Sequence, residues 1–281
     1  MASFQRFSRH APAVLLAALC GALASLAQAA DDPDRDRIGN EMVDRVKRAV
    51  AARDCSAAVY HLKDGLKSGR PKVALMAGSM YEHGLCVKQD WHTATGYYTL
   101  AYDGGLKQAA ERLAAGYADP ANGPDIAAAL WWARLGRGFQ FEGCMVGKDA
   151  ADDPDRFVAA LATWDPARLA ACNYIAGVIS TIGAELGYPE QGIDFSMGGD
   201  LLIRFYPGLA NVQITQGESR HYGTSGVVDG DNYRFRNAKE NTGAFRLAAD
   251  AVAKRALARY PQPKGIPLES QLSMRYVFTI E

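Results

Sequence analysis

The sequence lacks the short motifs that commonly mark an enzyme or a nucleotide-binding protein. It has no G-x-S-x-G elbow, no S-x-x-K pair, no G-x-G-x-x-G fingerprint and no phosphate-binding loop. The acidic stretch 149–155 lies in a predicted loop, which offers little of the burial that separates two carboxyl pKa values in acid–base catalysis. We therefore nominate no catalytic residue and expect no cofactor. The expectation is a protein that is not an enzyme.

Neither sign of charge is in excess. The chain has 31 lysines and arginines against 31 aspartates and glutamates. Removal of residues 1–30 would take away Arg6 and Arg9 and no acid, which leaves 29 basic residues against 31 acidic ones. A net charge of about −2 gives no electrostatic basis for binding nucleic acid or an anionic membrane surface.

Long apolar runs are scarce, and the clearest one stands near the N-terminus. The segment 11–26 is apolar, follows a basic start and precedes Ala27-Gln28-Ala29, a small-residue cleavage site. This order is typical of a secretory signal peptide, and the run is short for a membrane-spanning helix. We expect residues 1–30 to be cleaved and the mature protein to be periplasmic or secreted, with no membrane span.

Cysteine is sparse, and its spacing matches no zinc or redox motif. The predicted mature chain holds Cys55, Cys86, Cys144 and Cys172, which are 31, 58 and 28 residues apart. Four cysteines in an oxidising compartment predict two disulfides, for which three connectivities exist. Helices over about 55–68 and 71–83 would form an antiparallel hairpin with Cys55 and Cys86 at one end. That geometry favours Cys55–Cys86 and leaves Cys144–Cys172, with a redox or metal site as the alternative.

Histidine spacing gives no metal site either. His83 and His92 flank the first predicted inter-helix loop, nine residues apart, and this is not a spacing of known zinc ligands. Polar loop residues are the simpler interpretation, so we expect no bound metal.

One pattern occurs twice between Val73 and Gly138. The first copy contains Ala74, Ala77, Gly78, Tyr81, Gly84, Ala94, Tyr97, Tyr98 and Ala101, and the second contains Ala110, Leu113, Ala114, Tyr117, Gly123, Ala128, Trp131, Trp132 and Leu135. Equivalent positions are 36 residues apart in the first helix of the unit and 34 apart in the second, with the loop glycines Gly84 and Gly123 between them. Two helix-length segments in a period of this size are typical of a helical solenoid.

These residues resemble the Sel1-like repeat, a relative of the tetratricopeptide repeat. The resemblance covers about 65 of 281 residues and departs from the family pattern at Ala114 and Pro120, where glycine is usual. Small residues at i, i+3 and i+4 let two helices approach closely, and paired aromatic residues fill the space between hairpins. We therefore interpret Trp131 and Trp132 as core residues, with an exposed ligand-stacking role for Trp131 as the alternative.

Further helices on both sides are expected to cap the repeats. Apolar spacing predicts two helices before them and two after them, with an intervening loop: 38–53, 55–68, the loop 139–155, 156–164 and 167–186. An acidic, disordered lead-in is expected at 31–37. Together these segments form the predicted repeat domain, 31–188.

The last third changes from helical to mixed patterning. Strands are predicted at 201–206, 211–215, 232–236 and 272–280, with a polar turn region at 223–230 and an Ala-rich helix at 244–259. The predicted fold class is therefore an α-helical solenoid followed by a small α+β domain over 189–281.

The helix and last strand resemble the C-terminal domain of TonB-type energy transducers. The matching residues are Ala248, Ala249, Ala251, Val252, Tyr260-Pro261, Gly265 and the strand 274–281. Tyr260 lies further from the helix positions than the family pattern has it, and an uncleaved membrane helix and a proline-rich spacer are missing. The resemblance implies a binding module without the energy-coupling role. An unrelated α+β domain is the alternative.

Stacked helix hairpins form a concave surface, and the Sel1-like resemblance implies that it binds a protein or peptide. Helical spacing opposite the packing residues places five residues on this surface: Met76, Ser79, His83, Arg112 and Asp119. The expected function is an exported interaction scaffold or adaptor in a bacterial envelope. The alternatives are a cell-wall (peptidoglycan) binding protein, an envelope enzyme, and an accessory partner of a TonB-type transport system that acts by strand addition.

Overall fold

The computed structural model describes residues 33–137, 139, 141–189, 197–221 and 243–279. The predicted signal peptide, the strand at 232–236 and the turn region at 223–230 lie outside these residues. Within them the chain is mostly helical, with ten α-helices and one three-stranded antiparallel sheet. The predicted combination of many helices with a small sheet is confirmed at this level. None of the described helices combines the length and the apolar character needed to cross a membrane.

Two helices precede the repeats: α1 spans Pro33–Ala51 and α2 spans Cys55–Leu66. Because α1 begins at Pro33, the prediction of a disordered lead-in at 31–37 is wrong over residues 33–37, and a proline in the first turn suits a helix start. Asp54 caps α2, since its carboxylate accepts a hydrogen bond from the Ala57 amide at 2.9 Å.

The two copies of the sequence pattern fold as two helix hairpins. The first consists of α3 (Pro71–His83) and α4 (Trp91–Asp103), and the second of α5 (Lys107–Ala118) and α6 (Ile126–Leu135). Gly84 ends α3 in the left-handed region with φ of 65°, and Asp90 and Asp125 cap the helices that follow. A Cβ at Gly78 would lie 2.5 Å from the Tyr98 ring, so glycine lets α3 and α4 approach closely.

The segment after the repeats is more helical than predicted. In place of a continuous loop at 139–155 it contains a 3₁₀ turn (Glu142–Cys144), the short helix α7 (Lys148–Ala151) and the start of α8 (Pro154–Leu161). The acids of this segment explain the difference. Asp153 caps α8 by accepting from the Arg156 amide at 2.9 Å, and Asp152 pairs with Arg134 at 3.1 Å.

A long helix, α9 (Pro166–Glu185), joins the two halves of the molecule. It is buried along most of its C-terminal two thirds and packs on α5, α6 and the C-terminal helix α10 (Gly243–Arg259). A Cβ at Gly177 would lie 2.6 Å from the Tyr260 ring, so glycine admits the end of α10. One hydrophobic cluster consequently runs from Ala114 to Phe278, with Trp131 and Trp132 packed against it.

The sheet has β1 (Met197–Tyr206) at its centre, flanked by β2 (Asn211–His221) and β3 (Leu272–Phe278). A 3₁₀ turn, Pro207–Leu209, joins β1 to β2. The pairing of β1 with β3 runs from Gly199 opposite Phe278 to Phe205 opposite Leu272. Alternate residues of β1 are buried against the helices, as a sheet with one covered face requires.

Two disulfides are present with the connectivity that the hairpin geometry favoured. Cys55–Cys86 joins the start of α2 to the loop after α3, and Cys144–Cys172 joins the 3₁₀ turn to α9. The Cα atoms are 4.9 Å and 5.4 Å apart. Such pairs are typical of proteins in oxidising compartments, which fits a secreted or periplasmic protein.

Candidate functional site

Four of the five predicted groove residues lie around one buried ion-pair network. His83 and Arg112 approach the carboxylate of Glu82, Asp119 shares a cation with it, and Ser79 is within reach of the Tyr98 hydroxyl. The fifth, Met76, packs elsewhere, against the apolar cluster that α1, α2 and α3 form. The structure therefore brings together most of the predicted set, although around a group that the prediction did not include.

Glu82 is the centre of this network and is only 5 % exposed. The Tyr98 hydroxyl donates to its Oε2 at 2.6 Å, and Nη2 of Arg259 donates to its Oε1 at 3.1 Å. Arg112 Nη1 and His83 Nε2 lie 3.9 Å and 3.8 Å from Oε2. The two arginines and the hydroxyl satisfy a carboxylate that would otherwise be costly to bury.

Asp119 is the second buried acid of this network. Its Oδ1 accepts from the Ala121 amide at 2.8 Å, and its Oδ2 accepts from Nε of Arg259 at 2.6 Å. Arg259 is the last residue of α10, and its Nη1 also lies 4.0 Å from Glu185. One planar guanidinium thus links an acid of each repeat to the C-terminal helix, a geometry that suits arginine and not lysine.

Burial and neighbouring charges fix the protonation of two members of the network. Burial, and next the charge of Glu82, raises the pKa of Tyr98 far above its usual value, so the hydroxyl keeps the proton that it donates. Burial opposes the charge of Arg259, but Tyr260, Glu82 and Asp119 outweigh it and raise the pKa of Arg259. Neither Tyr98 nor Arg259 is poised to exchange a proton near neutral pH. The arrangement suits an ionic lock and not acid–base catalysis.

Sequence reasoning missed Glu82 and Arg259, on which the network depends. For Glu82 a signal exists, because it directly follows the apolar residues Met80 and Tyr81 within α3, and a buried acid needs a cation. For Arg259 there is none, since it is 177 residues away.

A metal centre finds no support in the described part of the chain. Those residues contain no group of three or more side chains suited to hold a metal ion. His83 approaches Glu82 alone, and His92 is exposed at the start of α4.

A separate cleft of about 330 Å³ runs along the outer edge of β3. Residues 273–277 of β3 form one wall, and Glu111, Arg137 and Gly183 contribute the other. Arg137 donates to Glu111 from Nη2 at 2.8 Å and from Nε at 3.3 Å, and its guanidinium carbon lies 5.8 Å from the centre of the Tyr276 ring. The Tyr276 hydroxyl donates to the Leu186 carbonyl, which fixes β3 against the end of α9.

β3 pairs with β1 along its length, and with no other strand among the residues described. In an antiparallel strand, N–H and C=O groups of alternate residues point to opposite edges. Half of the peptide groups of β3 therefore point away from β1, toward the cleft.

No protein family, curated protein or solved structure matches this chain.

Proposed function

We propose that this protein is an exported interaction scaffold in which a short helical solenoid supports a small peptide-binding sheet. The 34–36-residue period and the two hairpins support the solenoid. The signal-peptide pattern over residues 1–30 and the two disulfides support export. The Sel1-like and TonB-like resemblances agree with a binding role.

The surface predicted to bind a partner holds the C-terminal helix of the same chain at one end. Arg259 pairs with Glu82 and Asp119 there. The neighbouring Tyr260 hydroxyl lies 2.8 Å from both the Ala115 carbonyl and Thr181 Oγ1. A partner at this end would have to displace a buried ion pair, which is costly. The proposed partner site is therefore on the sheet.

The outer edge of β3 is the observation that carries this proposal. An extended peptide can add to such an edge as a further strand, with main-chain hydrogen bonds providing affinity and side-chain pockets providing specificity. Ser273, Arg275 and Val277 are exposed on one face of β3, whereas Met274 and Tyr276 are half-buried on the other. Successive side chains of an added strand would lie alternately beside the exposed face and beside the half-buried face of β3. The proposed ligand is an extended segment of an envelope protein.

Site-specific photo-crosslinking in cells tests the proposal. A benzophenone side chain at Val277, which is 55 % exposed and lines the cleft, is compared with one at Leu247, which is 70 % exposed on α10. We expect a discrete protein adduct at Val277 and none at Leu247. The same adduct at both positions, or no adduct at either, contradicts a binding site on β3.

A third probe position and a sedimentation assay distinguish the other functions. An adduct at Ser79 without one at Val277 would restore the repeat surface as the partner site. Co-sedimentation of the purified protein with isolated sacculi, without any protein adduct, would instead support cell-wall binding.

A further inference from the structure

A second cleft, of about 290 Å³, lies over the Cys144–Cys172 disulfide. Three segments that are distant in sequence form it: the turn around Gly143, one face of the N-terminal half of α9, and the loop 264–270 between α10 and β3. Its volume is near the lower end of the range for small-molecule sites, roughly 300 Å³.

The walls of this cleft are mainly apolar. Phe141, Ile175, Ile266 and Pro267 line it, and the disulfide forms part of its wall. Both cysteines are almost fully buried, at 4 % and 2 % exposure, so the disulfide holds the turn against α9. An apolar chain that binds here would move from water onto a preformed apolar surface, which is favourable.

The charged side chains that line the cleft have one sign, although Glu142 and Glu269 stand in two of its wall segments without lining it. Among the described lining residues the charged side chains are Arg168 and Lys264, and no acid is present. Asp165, the nearest acid in sequence to Arg168, caps α9 by accepting from the Ala167 amide at 2.6 Å. A low-dielectric cleft with two cations at its rim favours an anion.

Two contacts hold Arg168 in place, and neither of them is with an acid. Its Nε donates to the Gly143 carbonyl at 2.9 Å, and its guanidinium carbon lies 3.5 Å from the centre of the Trp164 ring. Within the described chain neither its Nη groups nor the exposed Lys264 has an anionic partner. A fixed guanidinium with free N–H groups is suited to bind a carboxylate.

We propose that this cleft binds a carboxylate that carries an apolar chain, in the manner of a medium-chain fatty acid. The carboxylate lies between Arg168 and Lys264, and the chain lies against Phe141, Ile175 and Ile266. This site is separate from the β3 edge, and the proposal does not depend on the proposed scaffold function.

Calorimetric titration of the oxidised, full-length mature protein with octanoate tests the proposal. We expect saturable binding of octanoate, and much weaker binding of acetate, which lacks the chain, and of octylammonium, which reverses the charge. Lys264→Gln should weaken octanoate binding about tenfold, because it removes one charge-assisted contact. Lys254→Gln, at an exposed lysine of α10 outside the cleft, should leave the affinity unchanged.

A space-filling variant provides a second, charge-independent test. Ala171 lines the cleft and is only partly buried, so Ala171→Phe should abolish octanoate binding without unfolding the protein. Equal affinity for octanoate and octylammonium, unchanged affinity in Lys264→Gln, or no binding of octanoate would overturn the proposal. Tighter binding of a leucine-terminated peptide than of octanoate would also overturn the assignment to fatty carboxylates.

Discussion

Nε of Arg259 lies 2.6 Å from Oδ2 of Asp119, across 140 residues of sequence. The same guanidinium reaches Glu82 at 3.1 Å. A side chain from the last turn of α10 thus joins an acid of the first repeat to an acid in the inter-helix loop of the second. Arg259 is therefore a cation that two buried acids share.

Replacement of Arg259 by methionine should destabilise the protein severely. The change keeps the apolar stem but leaves Glu82 and Asp119 buried without their shared cation, a situation that costs about 3–5 kcal/mol. Urea denaturation measures this loss in the free energy of unfolding. The control is Arg246→Met. Arg246 is 63 % exposed, and its ion pair with Asp250 is long, at 3.7 Å. Loss of this exposed pair should change the free energy of unfolding by less than about 0.5 kcal/mol. An equal loss of stability in the two variants would contradict the role of Arg259 as the cation that Glu82 and Asp119 share.

Two helical glycines should respond in opposite ways to alanine. A Cβ at Gly116 would overlap the Trp91 ring, whereas a Cβ at Gly96 meets nothing within 4 Å. Gly116→Ala should therefore cost about 1–3 kcal/mol through overpacking. Gly96→Ala, on the exposed side of α4, should add roughly 0.5–1 kcal/mol, because alanine favours the helix. Thermal unfolding of both variants checks the signs, and a higher Tm for Gly116→Ala would show that the hairpins pack differently.

The substitution Tyr174→Phe should stabilise the protein. Its side chain is almost fully buried, and its hydroxyl has no hydrogen-bond partner in the described chain. Removal of an unsatisfied buried hydroxyl should add about 1 kcal/mol. Tyr260→Phe is the matched control, because that hydroxyl bonds to Ala115 and Thr181; this variant should lose about 1–3 kcal/mol. A loss of stability in Tyr174→Phe would mean that its hydroxyl is bonded.

Tyr174→Phe should also alter how the free energy of unfolding depends on alkaline pH. Burial raises the pKa of Tyr174 from 10.0 to about 12, so unfolding releases a proton between these values and the free energy of unfolding falls as the pH rises from 10 to about 12. Over this interval one tyrosine changes the free energy of unfolding by about 1.4 kcal/mol per pH unit. Tyr174→Phe should reduce the slope by this amount. Denaturant titrations at pH 9, 10 and 11 measure it, and an unchanged slope would contradict the shift.

The two disulfides should differ in their contributions to stability. Loop-closure entropy assigns each roughly 3–4 kcal/mol, because they span 31 and 28 residues. Cys144 and Cys172 are also buried, so their replacement by alanine should leave a cavity and cost more than replacement of Cys55 and Cys86. Denaturation of the two double variants under non-reducing conditions gives the order. A larger cost for the Cys55 and Cys86 pair would contradict it.

Local signals were sufficient to predict the helix hairpins. Gly84 ends a helix because it accepts a positive φ, and Asp90 and Asp125 start helices because their carboxylates cap free amides. The disulfide pairing followed from the same register. The segment 139–155 is harder to predict, since an aspartate that caps a helix, as Asp153 does, has the same sequence signature as an exposed acid in a loop.

The ionic lock and the sheet edge could not be predicted in the same way. β1 and β3 are paired although about seventy residues separate them, and alternation within a strand does not specify its neighbour. The pairing of Arg259 with Asp119 likewise leaves no periodic trace in the sequence. Both features depend on how α9 places the C-terminal segment against the repeats.

Amide hydrogen exchange tests the central proposal, binding at the β3 edge, most directly. The purified protein is measured alone and with the partner captured at Val277. We expect slower exchange at alternate amides of residues 273–277, because those that point away from β1 gain hydrogen bonds to the added strand. Slower exchange confined to α3 and α5, with β3 unchanged, would contradict the proposal and place the partner on the repeats.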